Sequence, residues 1–441
     1  MLEDPRYAIL TLGCKTNQYE SAAIAWQLEQ HGYRIAAAAR EADVCIINTC
    51  AVTHSTEAQS RQLIRHLLKE NPRCRIIVTG CYAQTSPEAV AALSERIEVL
   101  GNIQKDELPA FLKQTPKSSS LCLHVSDIAV HHFFTTPACP SFRNRTRALL
   151  KIQDGCNSTC SYCIVPSVRG PSRSLPLPLV LERLSELVNA GYKEIVLTGI
   201  HLGAYGRDLH PRVSLSLLLK KIEATYSPAP VRIRLSSLEP PECTDELIGI
   251  IAESHTLCPH LHIPLQSGDN ALLKAMHRTY TADAFEALLE RVLSAIPNVN
   301  IGLDVIAGLP GETDRQFENT LSLITRHAVG YLHVFPFSRR RGTPAASLPG
   351  QVPDSLKKER VRILRALGFQ KRQDFWKAQC LHDHLALIEN RHDNQTGKFK
   401  AVTRNYIPVQ LSAPCSYVGE EVRIKMVQPT DGYVEAVLLV D

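Results

Sequence analysis

The sequence has no apolar run approaching the ~20 residues of a membrane-spanning helix. Its start, Met1-Leu2-Glu3-Asp4-Pro5, lacks the basic opening and apolar stretch of a secretory signal. Membrane insertion and export are set aside, and the cytoplasm is the expected compartment. Disulfides are rare there, so the fourteen cysteines need another account. Charge is not extreme either: a net +5 permits a polyanionic partner without demanding one. The most telling absence is local. Cys156, Cys160 and Cys163 form a C-x3-C-x2-C run, and no fourth cysteine or histidine follows within twenty-five residues. A structural zinc site closes with four side chains, and an ordinary iron–sulfur cluster takes four thiolates. Three thiolates in one short loop would hold a cubane cluster with one iron left open to a non-protein ligand. If that ligand is S-adenosylmethionine (SAM), the chain does radical chemistry.

What is present describes an α/β protein. The 441 residues suggest about three domains, and 44% hydrophobic with 21% charged residues is the balance of a globular chain with ample core. Over 4–115, strand patterns at 7–11, 44–48 and 75–79 alternate with helical patterns at 18–30 and 55–70. Ser86-Pro87 reads as the cap and first-turn proline of a further helix. Such alternation predicts an N-terminal parallel α/β domain. Residues 116–146, rich in Ser, Thr, Pro and Arg, read as a linker. A second series over 147–370 has strand patterns at 148–152, 194–198, 232–236, 261–263, 300–305 and 331–335, ending in a long helix at 356–377. Six such units are too few for an eight-stranded barrel, so a partial (βα)6 barrel is expected. Over 371–441, short runs at 384–389, 398–403, 407–411, 421–426 and 434–440 predict a small antiparallel β-barrel of a kind that grips nucleic acid.

A second set of cysteines is dispersed but shares a context. Cys14, Cys50 and Cys81 each follow one of the first three strand patterns, in Leu12-Gly13-Cys14, Asn48-Thr49-Cys50 and Thr79-Gly80-Cys81. Ligand sites in open parallel sheets lie beyond the carboxyl ends of the strands, so the three would converge. Glycine before two of them permits the close backbone approach a bulky cluster needs. A metal or cluster site with three thiolates is the reading; zinc completed by water is the alternative. The scattered remaining cysteines read as small buried hydrophobes.

The C-x3-C-x2-C loop follows the first strand of the second series, where a barrel carries its catalytic residues. Tyr162 could border an adenine there. Polar or glycine clusters after later strands could line the same mouth, and they supply Thr198, Gly199, Ser236, Glu239, Gln266 and Asp304 as cofactor contacts. Glu239 is the candidate for a ribose or amino group, although a solvated loop carboxylate reads almost as well. Singly, each is ordinary turn geometry. Arg143, Arg145, Arg147, Arg339, Arg340, Arg341, Lys398, Lys400, Arg404, Arg423 and Lys425 could steer and hold an RNA backbone. The histidines show no metal-spaced cluster.

Three single cysteines in an α/β domain, a C-x3-C-x2-C loop and a small terminal β-barrel together resemble the radical-SAM methylthiotransferases over 7–440. The resemblance implies two 4Fe-4S clusters, one on Cys14, Cys50 and Cys81 and a SAM-binding one on Cys156, Cys160 and Cys163. It implies that the last domain is the family's RNA-binding TRAM domain. Residues 168–174, 197–206 and 234–240 look like the subgroup acting on N6-threonylcarbamoyladenosine beside the anticodon, at tRNA position 37. Other subgroups act on N6-isopentenyladenosine or on an aspartate of a ribosomal protein. The implied reaction takes hydrogen from C2 of the adenine through a radical made from SAM and delivers methylated sulfur carried on the other cluster. Implied partners are the tRNA anticodon stem-loop, an electron donor such as flavodoxin or ferredoxin, and a sulfur donor, with no membrane. An iron–sulfur electron carrier or an RNA-binding module is the non-enzymatic rival, which would hold iron without cleaving SAM.

Overall fold

The computed structural model describes residues 5–113, 122–139, 141–143, 145–227, 231–380 and 382–439. The chain divides into two compact units, one of Met1–Ser141, Lys151–Leu175 and Ser338–Ala346, the other of Phe142–Leu150, Pro176–Phe337 and Ser347–Asp441.

The first unit is built on a parallel sheet of β1 (Arg6–Thr11), β2 (Arg34–Ile35), β3 (Val44–Thr49), β4 (Arg75–Gly80), β5 (Ile97–Leu100) and β6 (Cys122–His124), in the order β2-β1-β3-β4-β5-β6. Every residue of β3 is buried, as a strand covered on both faces requires. Alternate residues go to opposite cores. Cys45, Ile47, Ile76 and Val78 pack with Ile64 and Leu67 of the helix His54–Glu70. Ile46 and Ile77 pack with Ile24 and Leu28 of the helix Lys15–Gln30. That helix starts three residues before the 18–30 pattern, directly after Cys14 at its N-cap. Ser86 stands at the N-cap of Pro87–Ala91 as expected, but its side chain makes no capping bond. The stretch read as linker contributes β6, which extends the sheet beyond β5; residues 114–121 lie outside the described residues. Neither β5 nor β6, four and three residues long, was expected from the sequence, and β6 is only half-buried, so no buried run marks it. Strand β7 (Arg147–Lys151) leads into a short hairpin of β8 (Gln153–Asp154) with β9 (Arg173–Ser174) that brackets the three-cysteine loop.

In the second unit β7, β10 (Glu194–Thr198) and β11 (Arg232–Leu235) form one sheet, in the order β11-β10-β7, and β12 (His260–His262), β13 (Asn300–Ala307) and β14 (Tyr331–Pro336) form another. These are the six strands of the partial barrel. The helix Asp354–Gln379 covers β14, with Gly368 against Leu332. The last strands, β15 (Asp383–His392), β16 (Phe399–Thr403), β17 (Pro408–Leu411), β18 (Glu421–Pro429) and β19 (Val434–Leu438), close into a barrel. Residue 440 of the last expected strand lies outside the described residues. The expectation of a wholly antiparallel barrel is corrected at one seam, because β17 and β19 pair in parallel. A closed ring of five strands cannot alternate direction all the way round. Phe399, Val409, Leu411, Ile424, Met426 and Val434 fill the barrel, together with Trp376 from the long helix.

Buried arginines join this barrel to β10 and β11. Arg232 and Arg234 are fully buried against Glu194, with bonds of 2.6 and 2.9 Å. Their outer nitrogens donate to the carbonyls of Val402 and Arg404, each at 2.8 Å, and Arg232 also meets Glu421 at 2.6 Å. Among the described residues no helix is long and apolar enough to cross a membrane. Glu194→Gln leaves two buried guanidinium groups short of a counter-charge. It should lower stability by about 3–5 kcal/mol, read as a shifted midpoint in urea unfolding.

Candidate metal and cofactor sites

In the first unit Cys14, Cys50 and Cys81 follow β1, β3 and β4, which are neighbours in the sheet. Gly13 has φ +102°, and a Cβ there would lie 2.9 Å from Cys50 Cβ and 3.1 Å from its sulfur. The backbone beside Cys14 therefore presses onto Cys50, and any side chain at position 13 would fill the space. Gly80, at φ +93°, is likewise crowded by Thr49 and Asn48. Cys50 and Cys81 are buried, while Cys14 is exposed. Burial pushes the Cys50 thiol up, and the neighbouring Cys81 and Cys14 push it further. Burial also raises Cys81, against the pull of Arg169. A bound cation would offset the cost of ionising the buried Cys50 and Cys81 thiols.

The surrounding charges suit that occupant. Glu20, six residues beyond Cys14 on the helix, is buried and takes Lys105 at 2.5 Å, Lys151 at 2.7 Å and Arg169. Asp154 takes Lys151 at 2.7 Å and Arg173 at 2.9 Å. Burial alone would raise both carboxyls, but these cations hold them well below the usual carboxylate range. Four buried cations thus face two carboxylates beside three thiols, and thiolates on an iron–sulfur cluster would supply the missing negative charge. Arg169 also donates to Asn17, whose own amide ties the chain ends at Leu12 and Thr49 with bonds of 2.7 and 3.0 Å.

Arg169 lies six residues after Cys163, at the end of the C-x3-C-x2-C loop. The loop is pinned by Cys156 N–H donating to the Gly170 carbonyl at 3.0 Å and Cys163 N–H to the Cys160 carbonyl at 3.1 Å. Ser158 N–H points at Cys156 Sγ and Val165 N–H at Cys163 Sγ, both at 3.4 Å. Amides directed at sulfur favour thiolates. Gly155, at φ +71°, lies against the Pro171 carbonyl, so no side chain fits where the loop begins. Cys156, Cys160, Cys163 and Tyr162 are all half-buried. Ala345 N–H donates to the Ser161 carbonyl at 2.8 Å.

The second unit places most of the remaining candidates at or after the carboxyl ends of its parallel strands, with Asp304 inside β13. Thr198 ends β10 and Gly199 follows it, while Ser236 follows β11. Ser236 and Gln266 are buried, and neither the Ser236 hydroxyl nor Gln266 Oε1 has a hydrogen-bond partner. Gln266 also holds φ +62°, a strained conformation of the kind that collects at functional sites. Glu239 and Asp304 are different, because partners already occupy them. Burial raises the Glu239 carboxyl, but Arg278 pairs with it. Asp304 accepts from His262 at 2.9 Å and His333 at 3.3 Å. The expectation that the histidines form no cluster is corrected, since His262, Asp304 and His333 bring their polar atoms within 4.8 Å of one another. The available signal was the period of two in His260/His262 and Tyr331/His333, which puts each pair on one strand face.

Several basic residues expected on RNA are committed inside the fold. Arg340 pairs with Glu57, Arg147 with Glu389 at 2.9 Å, and Arg404 with Glu421 at 2.6 Å. Lys398, Lys400 and Arg423 have longer pairs of 3.3 to 3.7 Å on the barrel surface, which cost little to exchange for phosphate. Lys425 is exposed beside Arg423 on β18.

Two family models match the chain, "Uncharacterized protein family UPF0004" at residues 6–101 and "Radical SAM superfamily" at 150–324. The threonylcarbamoyladenosine tRNA methylthiotransferase MtaB of Bacillus subtilis is 40% identical over 97% of this chain and 95% of its own length. That of Rickettsia prowazekii is 38% identical over 100% and 99%. The tRNA-2-methylthio-N(6)-dimethylallyladenosine synthase of Carboxydothermus hydrogenoformans is 33% identical over 99% and 100%. Among solved structures, the radical S-adenosylmethionine methyltransferase TsrM of Kitasatospora setae superposes with a TM-score of 0.57 at 13% identity, over 78% of this chain and 77% of that one. The cobalamin-dependent radical enzyme OxsB gives 0.54 at 12%, over 90% and 64%. These two likenesses concern the fold alone.

Arg169→Met should cost about 3–5 kcal/mol by stranding Glu20 and Asp154 among fewer cations, measured by urea unfolding. Because both carboxyls are held low in the folded state, their stabilisation is complete above the ordinary carboxylate pKa of about 4 and is lost as pH falls below it. Glu20→Gln should flatten that acid limb in a fluorescence-monitored pH titration.

Proposed function

The chain belongs to the radical-SAM methylthiotransferase family, and we propose that it converts N6-threonylcarbamoyladenosine beside the tRNA anticodon to its 2-methylthio derivative. One observation carries the reading: two three-cysteine sets occur in one compact unit, with Arg169 bonded among the residues around the first and joined by six residues of chain to the second. The choice of substrate is supported by the relatives named for threonylcarbamoyladenosine, which are 35–40% identical, against 31–33% for those named for dimethylallyladenosine.

Cys156, Cys160 and Cys163 would hold three irons of one 4Fe-4S cluster, and Cys14, Cys50 and Cys81 three irons of another. When bound, the clusters and SAM supply a carbon-centred radical able to break an unactivated C–H bond, and the sulfur that replaces the hydrogen. A C–H bond at adenine C2 offers no handle to an acid or base, which is why the chain needs such groups. Its own residues bind, position and shield. Arg169, Lys105 and Lys151 favour thiolates at the first cysteine set, and the Ser158 and Val165 amides do so at the second. The Ser236 hydroxyl and Gln266 Oε1 of the second unit, buried and unpartnered, are fitted to hydrogen-bond SAM, with Thr198 and Gly199 of the same unit as further contacts. Glu239 acts there through Arg278 or after exchanging it. Lys398, Lys400, Arg423 and Lys425 offer the barrel's phosphate contacts, and the target base must leave its stack to react. Electrons come from a small carrier such as flavodoxin or ferredoxin, and sulfur from a separate donor, in the cytoplasm.

Anaerobic reconstitution should give about eight irons per chain, four for each cubane. Cys160→Ala should abolish SAM cleavage. Cys50→Ala should keep cleavage but stop thiolation, and loss of both would instead report misfolding. Mass spectrometry of tRNA nucleosides from a deletion strain should show 2-methylthio-N6-threonylcarbamoyladenosine missing; its persistence overturns the substrate.

A further inference from the structure

One face of β12–β14 carries a polar cluster that the assignments above leave without a task. Leu332 packs on Gly368 of the covering helix, with the glycine's Cβ position 3.0 Å from Leu332 Cβ. Alternation therefore turns Tyr331 and His333 to the opposite face. There Asp304 lies level with His333 across the β13–β14 ladder, and its Oδ1 accepts from both His262 Nε2 and His333 Nδ1. His262 is held from behind, because its Nδ1 meets the Tyr331 hydroxyl at 3.1 Å, and that hydroxyl meets His260 Nε2 at 2.9 Å. Gly302 makes room for this, since a Cβ at that position would run into the Tyr331 ring.

The cluster opens outward. Side-chain exposure rises from 9% at His262 through 24% at Asp304 to 55% at His333. The nearby Arg232 and Arg234 are saturated by Glu194, Glu421 and backbone carbonyls. His333 has its Nδ1 turned to Asp304, and its Nε2 has no partner among the described residues. Burial alone would raise the Asp304 carboxyl, but the two histidine bonds hold it well below the usual range. An ionised Asp304 fixes the ring of His333 with Nδ1–H inward, leaving Nε2 to face a ligand. The exposed carboxylate edge beside it can accept one further bond.

We propose that His333 and Asp304 form the subsite for the N6 substituent of the target adenosine, selecting a substituent with hydroxyl and ureido N–H donors over an apolar alkenyl one. The proposal rests on the methylthiotransferase reading and deepens it. A threonylcarbamoyl group offers a hydroxyl and a ureido N–H as donors, one to His333 Nε2 and one to Asp304. An isopentenyl group offers neither, and would leave both protein groups desolvated and unpaired. Sites built to bond a polar group reject analogues lacking it far more strongly than apolar pockets reject an extra hydroxyl. Two histidines and an aspartate can also hold a divalent cation. The direct His262–Asp304 bond at 2.9 Å favours the ion-paired form, which a cation would displace.

The test uses the full chain with both clusters reconstituted and three fluorescent anticodon stem-loops, with adenosine, N6-isopentenyladenosine or N6-threonylcarbamoyladenosine at position 37. The wild type should bind the threonylcarbamoyl stem-loop about 10- to 100-fold more tightly than the isopentenyl one, the range of a charge-assisted hydrogen bond. His333→Phe should remove that preference without changing affinity for the unmodified stem-loop. His333→Gln, which keeps a polar acceptor on a flexible amide, should retain only part of it and serves if the Phe variant misfolds. Undiminished preference in either folded variant overturns the subsite. So does a stoichiometric non-iron divalent metal, measured by elemental analysis, that is lost with His333. A wild type that prefers and thiomethylates threonylcarbamoyladenosine while His333 variants bind unchanged sinks the subsite alone. Failure of the wild type to modify that base sinks the enzyme reading itself.

Discussion

The pairing of Arg169 with Glu20 is the constraint on which the first unit depends. A carboxylate buried six residues beyond Cys14 would be costly alone, and it persists because Lys105, Lys151 and Arg169 surround it. Each cation comes from a different stretch of chain. The segment after the C-x3-C-x2-C loop therefore has to return to the first helix, and the loop is carried with it. The same guanidinium reaches Asn17, which clamps the ends of β1 and β3 beside two of the other cysteines. One buried charge network thereby locates both cysteine sets, and its surplus of positive charge matches a neighbourhood in which thiols become thiolates.

The second unit uses the same device for a different end. Glu194 on β10 neutralises Arg232 and Arg234 on β11, and the arginines spend their outer donors on carbonyls of β16 and the residue after it. A surface barrel would have no reason to settle in one place on apolar contact alone. Directional, fully buried guanidinium bonds give it one.

The two cysteine groupings were marked in the sequence, by a fixed spacing in one case and a repeated strand-to-cysteine context in the other, and the structure places Cys14, Cys50 and Cys81 after three neighbouring strands. The strands themselves were legible wherever they ran to five or more residues of one pattern. β5 and β6 went unseen, although β11, β12 and β17, none longer than β5, were read; β6 at the sheet edge is half-buried and has no buried run to mark it. His262, Asp304 and His333 went unseen for another reason. They are brought together only by the register of three strands, and nothing in the spacing from 262 to 333 announces it. Among the basic residues, Arg340 looks like surface charge in the sequence and is a buried partner of Glu57 in the fold, while Arg404 is half-buried against Glu421.

By itself, the C-x3-C-x2-C run determined that three thiolates would leave a metal one ligand short, because coordination number follows from donor count and spacing. The strand-then-cysteine pattern likewise determined that Cys14, Cys50 and Cys81 would meet, because parallel strands end on one side of a sheet. Only the tertiary structure decided which charges surround them. Glu20, Lys105, Lys151, Asp154 and Arg169 read as five unrelated polar residues until burial removes water and each must find its counter-ion within about 3 Å.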